Sequence, residues 1–147
     1  MPRPTVIAIV DDDHSVREAL TSLMRSLGYV AIAFERAEDL LKSRRRRSVS
    51  CVIADVQMPG MTGLELHDRL VASREPIPTI LITAFADETA RERAMQAGVI
   101  GCLTKPFSED DLLACILLAC RRERTNSLQK SGATPSGYEG VPYALLG

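Results

Sequence analysis

Apolar residues along this chain follow two alternating rhythms. Five short runs are apolar at nearly every position: residues 5–10 (TVIAIV), 30–34 (VAIAF), 49–54 (VSCVIA), 78–83 (PTILIT) and 99–103 (VIGCL). Short continuous runs of this kind are the pattern of strands buried on both faces. Between them the spacing turns helical. Residues 16–27 carry apolar side chains at 16, 19, 20, 23, 24 and 27, and Gly28 supplies a stop. A second helix is expected from about 37 to 44, and a third over 63–72 with apolar positions 64, 66, 70 and 71. A fourth, over 87–97, closes at Gly98. Ser108 reads as an N-cap with Asp110 and Asp111 in the first turn, opening a fifth helix that reaches about Arg124.

Strands that alternate with helices make a parallel sheet covered on both faces, with one right-handed crossover between successive strands. The expected fold is therefore α/β and doubly wound, with five parallel strands and five helices. No sequence repeat accompanies this beat. After Arg124 the composition shifts to Gly, Pro, Ser and Thr. Residues 1–124 are read as one domain and 125–147 as a flexible tail, too short for a second domain. Nothing in it offers the helices and basic face of a helix-turn-helix module, so no direct DNA contact is expected.

Charge narrows the classes further. Eighteen Lys and Arg stand against nineteen Asp and Glu in 147 residues. That balance gives no general pull towards nucleic acid or an anionic membrane. No apolar run approaches the roughly 20 residues that span a bilayer. The N-terminal apolar stretch ends in three aspartates, the wrong flank for a signal peptide. A cytoplasmic chain without membrane contact is expected. The cysteines at 51, 102, 115 and 120 form no C-x-x-C pair, and neither His14 nor His67 stands at zinc-finger spacing from them. Three lie in apolar runs and read as packing thiols rather than disulfide partners.

Ligands of open α/β sheets bind beyond the carboxyl ends of the strands. Those ends carry Asp11-Asp12-Asp13, Asp55, Thr83 and Lys105-Pro106, while the second strand ends in Phe34-Glu35 and offers less. Each feature alone is ordinary. An aspartate after a strand is usually a loop residue, Asp13 or Ser15 can cap the next helix, and a lysine before a proline says little. Together they deliver carboxylates, a hydroxyl and an ammonium to one edge. Clustered carboxylates repel each other, and oxygen-only donors suit Mg²⁺ or Ca²⁺ better than zinc. A nucleophilic carboxylate, a metal and a fixed positive charge are the parts that phosphoryl transfer requires.

Four segments carry a resemblance. Val10-Asp11-Asp12-Asp13, the stretch from Ala54-Asp55 through Met58-Pro59-Gly60 to Gly63-Leu64-Glu65-Leu66, Ile80-Leu81-Ile82-Thr83-Ala84 and Leu103-Thr104-Lys105-Pro106-Phe107 are similar in order and spacing to the receiver domain of bacterial two-component response regulators. The likeness runs from about residue 5 to 124 and implies the flavodoxin-like strand order 2-1-3-4-5. It implies that Asp55 accepts the phosphoryl group. Asp12, with Asp11 partly through water, would hold Mg²⁺ alongside Asp55 and the backbone carbonyl of Gln57. Lys105 would pair with the acyl phosphate, and Thr83 would hydrogen-bond it and move inward. Met58-Pro59-Gly60 and Gly63 would shape the loop after the acceptor. The donor would be a histidine kinase or a histidine phosphotransfer protein. The output would be a protein partner reading the face of the fourth helix, fifth strand and fifth helix, with the chain a monomer or a phosphorylation-dependent dimer. Such a chain is no enzyme towards other substrates; it promotes only its own phosphorylation and dephosphorylation.

One position departs from the family pattern. A Tyr or Phe usually stands three residues before the lysine, where this chain has Cys102, with Gly101 leaving the edge barer still. Either Phe85 or Phe107 substitutes for that ring, or the output travels by another route, and the second is preferred. Gln57 and Phe85, two residues beyond Asp55 and Thr83, flank the path of hydrolytic water. Phe85 there predicts slow self-dephosphorylation, although Gln57 could instead orient the water.

Three alternatives stay open. The same residues permit a phosphate sink that drains a kinase. A receiver-like binding module that is never phosphorylated is a second. A haloacid-dehalogenase-type phosphatase is a third, from Asp11-x-Asp13-x-Ser15, but the later acidic residues and room for a cap are missing. Arg44–Arg47 reads as a solvated helix end. The apolar 141–146 segment could dock on a partner or be read by proteases.

Overall fold

The computed structural model describes residues 4–73, 76–84 and 88–130, with the side chains of the last helix described as far as Arg121. The two rhythms become two kinds of element. The strands are β1 (Val6–Val10), β2 (Val30–Phe34), β3 (Cys51–Asp55), β4 (Thr79–Thr83) and β5 (Gly101–Thr104). The helices are α1 (His14–Ser26), α2 (Ala37–Lys42), α3 (Gly63–Ala72), α4 (Glu88–Gln96) and α5 (Glu109–Lys130). All neighbouring strands pair in parallel, in the order β2-β1-β3-β4-β5.

Why the inner strands are apolar at every position follows from the packing. Successive side chains point to opposite faces. Ile7, Ile9, Cys51, Ile53, Ile80 and Ile82 pack with Leu20 and Met24 of α1 and Leu112 and Ile116 of α5. Val6, Ala8, Val10, Val52, Ala54, Leu81 and Cys102 pack on the other face with Leu40 of α2, Leu66 and Leu70 of α3 and Ala94 of α4. Neither face meets water, so the buried positions of both parities are apolar except at Thr79, whose buried hydroxyl donates to the Ile77 carbonyl. The outer strand β2 is more open, with Ile32 its one buried residue.

Local chemistry sets the helix starts. The Asp13 carboxylate accepts from the N–H groups of Ser15 and Val16 and caps α1. Thr62 and Glu65 close a reciprocal capping box at α3, at 3.1 and 3.2 Å.

Several boundaries differ from the expectation, three of them for a visible reason. The second helix ends at Lys42 instead of Arg44, and Arg44–Ser48 form a separate 3₁₀ turn. Ser43 makes the break, its hydroxyl accepting from the Arg45 N–H. The arginine run is thus its own turn rather than a helix end, and Arg46 folds back onto the Leu41 carbonyl at 3.2 Å. The fifth strand begins at Gly101 because the Val99 N–H is used to close α4, donating to the Ala94 carbonyl. The last helix runs six residues past Arg124 to Lys130, a stretch with no Gly or Pro to stop it. The tail segment 131–147, with the apolar 141–146, lies outside the described residues.

Cys51, Cys102 and Cys115 are buried, Cys120 is partly so, and no disulfide joins them. No described helix is long and apolar enough to cross a membrane.

Candidate functional site

The carboxyl ends of β1, β3 and β5 converge. Asp11 follows β1 directly, Asp55 is the last residue of β3, and Lys105 follows β5 directly. In the two-residue strand period they continue the face of Ile9, Ile53 and Leu103, so all three side chains start on the same side of the sheet. The Lys105 ammonium lies 3.8 Å from Asp11 Oδ2 and 3.7 Å from Asp55 Oδ2. Asp12 completes an acidic group in which one oxygen each of Asp11, Asp12 and Asp55 lies within 4.8 Å of the others.

Burial differs sharply within this group. Asp11 is buried, Asp55 is partly covered with 13% of its side chain exposed, and Asp12 faces solvent. Burial pushes the Asp11 carboxyl above its ordinary value of 3.8; the Asp13 N–H opposes that push, Asp55 adds to it, Lys105 opposes it and Asp12 adds to it. The pocket is therefore short of positive charge when it holds Lys105 alone. Its donors are all oxygens at a spacing one ion can bridge, so the residues fit Mg²⁺.

The backbone holds the carboxylates in place. The Asp13 N–H donates to Asp11 Oδ1 at 2.8 Å, and the Gln57 N–H donates to Asp55 Oδ1 at 3.2 Å. Each is an Asx turn that leaves the other oxygen of its carboxylate facing the lysine. Gln57 is exposed beside Asp55. Gly63 sits directly behind β3: a Cβ there would collide with the Asp55 carbonyl oxygen. Only glycine allows α3 to start so close to β3.

Thr83 ends β4 in register with Thr104, and its carbonyl accepts the Lys105 N–H at 2.8 Å. A shift of the Thr83 backbone is thereby tied to the lysine. Of the two rings considered as substitutes at Cys102, Phe107 packs on the α1/α5 face, whereas Cys102 packs on the opposite face. Phe107 thus does not fill that volume. Phe85 lies outside the described residues. Cys102 is buried rather than at a bare edge, and burial pushes its thiol up.

Two residues escaped the sequence reading. Arg17 on α1 donates to the Asp11 carbonyl at 2.8 Å and clamps the first acidic loop from below. The clue was a cation in the first turn of the helix that follows the acidic cluster. His67 on α3 is buried and reaches the Ala97 carbonyl, thirty residues away. No local pattern announces a contact of that separation.

Comparison with known proteins places the chain among proteins of the same fold. The model of the response regulator receiver domain matches residues 7–117. Nodulation protein W of Bradyrhizobium diazoefficiens is 37% identical over 119 residues, which cover 81% of this chain and 52% of that protein. Response regulator protein TodT of Pseudomonas putida is 39% identical over 128 residues, covering 85% of this chain and 56% of that protein. The chain therefore spans about half the length of these curated relatives. Among solved structures, the response regulator StyR superposes with a TM-score of 0.80 at 38% identity, covering 88% of this chain and 65% of that one. FixJ-N superposes with a TM-score of 0.73 at 29% identity, covering 82% of this chain and 96% of that one.

Proposed function

Because the chain belongs to the family of response regulator receiver domains, we propose that Asp55 is its phospho-acceptor and that phosphorylation there switches its binding to a downstream protein. The observation that carries this reading is the pairing of Asp55 with Lys105 inside an acidic pocket at the strand ends. The donor in this reading is a phosphohistidine of a histidine kinase or a histidine phosphotransfer protein. An Asp55 carboxylate oxygen forms the new O–P bond, the N–P bond breaks, and its electron pair returns to the donor imidazole. Lys105 balances the charge of the phosphoryl oxygens, and Thr83 hydrogen-bonds one of them. Asp11, Asp12, Asp55 and the Gln57 carbonyl would hold Mg²⁺, which when bound neutralises phosphoryl charge. Attack of a water oxygen on phosphorus later restores the carboxylate and releases inorganic phosphate. The chain's chemistry is limited to these two reactions on itself.

The output surface in this reading is the α4–β5–α5 face, offered by a monomer or by a dimer formed on phosphorylation, in the cytoplasm. The receiver unit is residues 1–124, with 125–147 as a tail into which α5 extends. A phosphatase that uses Asp13 as acid is disfavoured, since that carboxylate is committed to capping α1.

The test is incubation with Mg²⁺ and acetyl phosphate, read by intact mass and a phosphate-affinity gel, with Asp55→Ala in parallel. A single labile phosphate is expected, absent from the variant and abolished by a chelator. Failure with acetyl phosphate and with a panel of histidine kinases and phosphotransfer proteins would overturn the reading.

A further inference from the structure

The buried apolar contacts of helix α4 lie at its C-terminal end. Residues 88–93 are all exposed, and only Ala94 is buried, with Met95 packed partly against the same face. A helix with so little buried apolar surface is not fixed by packing along its length.

Its C-terminal end is tied down with unusual care. The Gly98 and Val99 N–H groups donate back to the Met95 and Ala94 carbonyls at 3.1 and 3.3 Å, the pattern of a Schellman cap. Gly98 provides the positive φ, +99°, that this cap needs. One of the last-turn carbonyls, Ala97, accepts from His67 Nε2 on α3 at 3.0 Å. A carbonyl only accepts, so Nε2 carries the hydrogen.

His67 is an expensive way to fill this position. It is 3% exposed, among Leu66 and Leu70 on an otherwise apolar helix face, and its Nδ1 is buried without a partner. Leucine would pack there with no unsatisfied atom. The imidazole adds one thing a leucine lacks: a donor that spans from α3 to the end of α4.

At its other end α4 begins five residues after Thr83, the last residue of β4, whose carbonyl accepts the Lys105 N–H. We infer that His67 is the positioning residue that fixes the C-terminal end of α4 as a pivot, so that a displacement of Thr83 swings the helix at its N-terminal end. This deepens the proposed function and rests on it for the source of the displacement. It also gives the switch a route to the α4–β5–α5 face that needs no aromatic ring at Cys102.

The test uses the whole 147-residue chain, with His67→Leu and His67→Gln, and hydrogen exchange read on peptides covering 88–93 and 94–99. Glutamine places an amide donor near the position of Nε2. In unphosphorylated protein His67→Leu should speed exchange over 94–99 by about tenfold, the scale of one lost hydrogen bond with its partner left unpaired, and His67→Gln should restore protection. After acetyl phosphate and Mg²⁺, wild type should change over 88–93 and stay protected over 94–99. If His67→Leu does not fold, Gly98→Ala, which strains the same cap, replaces it. Equal exchange in wild type and His67→Leu overturns the pivot. So does loss of protection in His67→Gln to the same degree as in His67→Leu, which would make the role one of ring packing. So does a phosphorylation response spread evenly over 88–99. If wild type takes up no phosphate from acetyl phosphate or from the panel of histidine kinases and phosphotransfer proteins, the proposed function fails, while the exchange comparison in unphosphorylated protein still decides the pivot.

Discussion

Lys105 and Asp55 face each other at the strand ends with Nζ 3.7 Å from Oδ2. That separation lies within Coulombic reach and outside hydrogen-bond range. The same ammonium is 3.8 Å from Asp11 Oδ2. It is shared between two carboxylates and committed to neither, a state that suits the proposed turn towards an arriving anion.

Lys105→Met should therefore do two separable things. Uptake of phosphate from acetyl phosphate should fall by about 100-fold, the usual scale for removing one group that stabilises developing charge. In metal-free protein Asp11 and Asp55 lose their shared counter-charge, so the melting temperature should also fall. Uptake at the wild-type rate would remove Lys105 from the chemistry.

Asp11 gives a pH dependence of fixed sign. Burial, the largest cause, holds its folded pKa above the ordinary 3.8. Between the ordinary value and the raised one the native state binds more protons than the unfolded chain. The Asp11 contribution to stability therefore grows as pH falls through the raised value, and the ionised group costs stability above it. Asp11→Asn should raise the melting temperature of metal-free protein at neutral pH and flatten its acid-side slope relative to wild type. Mg²⁺ should stabilise wild type, less so as pH falls, and should leave the variant nearly unmoved. Equal Mg²⁺ shifts in both proteins would show that Asp11 holds no metal.

Gly63→Ala tests how tightly the acceptor strand is backed. The new Cβ would meet the Asp55 carbonyl and lie 3.0 Å from Leu81 Cδ2. Backbone cannot rotate away as a side-chain tip can. Urea unfolding should show a loss of about 2 kcal/mol, within the range for overpacked interiors. Phosphate uptake should fall as well, because Asp55 moves with its carbonyl. A variant as stable and as active as wild type would mean that α3 can retreat from β3.

These expectations show which parts of the molecule were open to a reader of the sequence. Fully apolar strands demand two covered faces, so Ile7 to Val10 and Val52 to Ala54 declare a parallel sheet before any coordinates. The grouping of Asp11, Asp55 and Lys105 was legible because each stands at or just beyond the end of such a run. The strand order was implied only by family likeness. The 3₁₀ turn at Arg44–Ser48 was hidden because one serine hydroxyl decides it. The end of α5 was misplaced because a polar stretch without Gly or Pro can continue a helix or leave it. His67 was invisible because its partner, Ala97, becomes a neighbour only after two helices pack.

Cys102 decides whether the usual aromatic was lost or excluded. It is 6% exposed and belongs to the same packed cluster as Leu81, Ala94 and Val99. A tyrosine ring at this position needs far more volume than a thiol packed in one buried cluster with Leu81, Ala94 and Val99. Cys102→Tyr should therefore lose about 1–3 kcal/mol in urea unfolding, the cost of overpacking. Cys102→Ala should lose less, since it removes only one sulfur atom. The opposite result, a tyrosine variant as stable as wild type, would mean that the ring finds a place by turning outward between α4 and β5. The aromatic route would then be open to this chain, and the pivot at His67 would no longer be needed to explain how Thr83 reaches the output face.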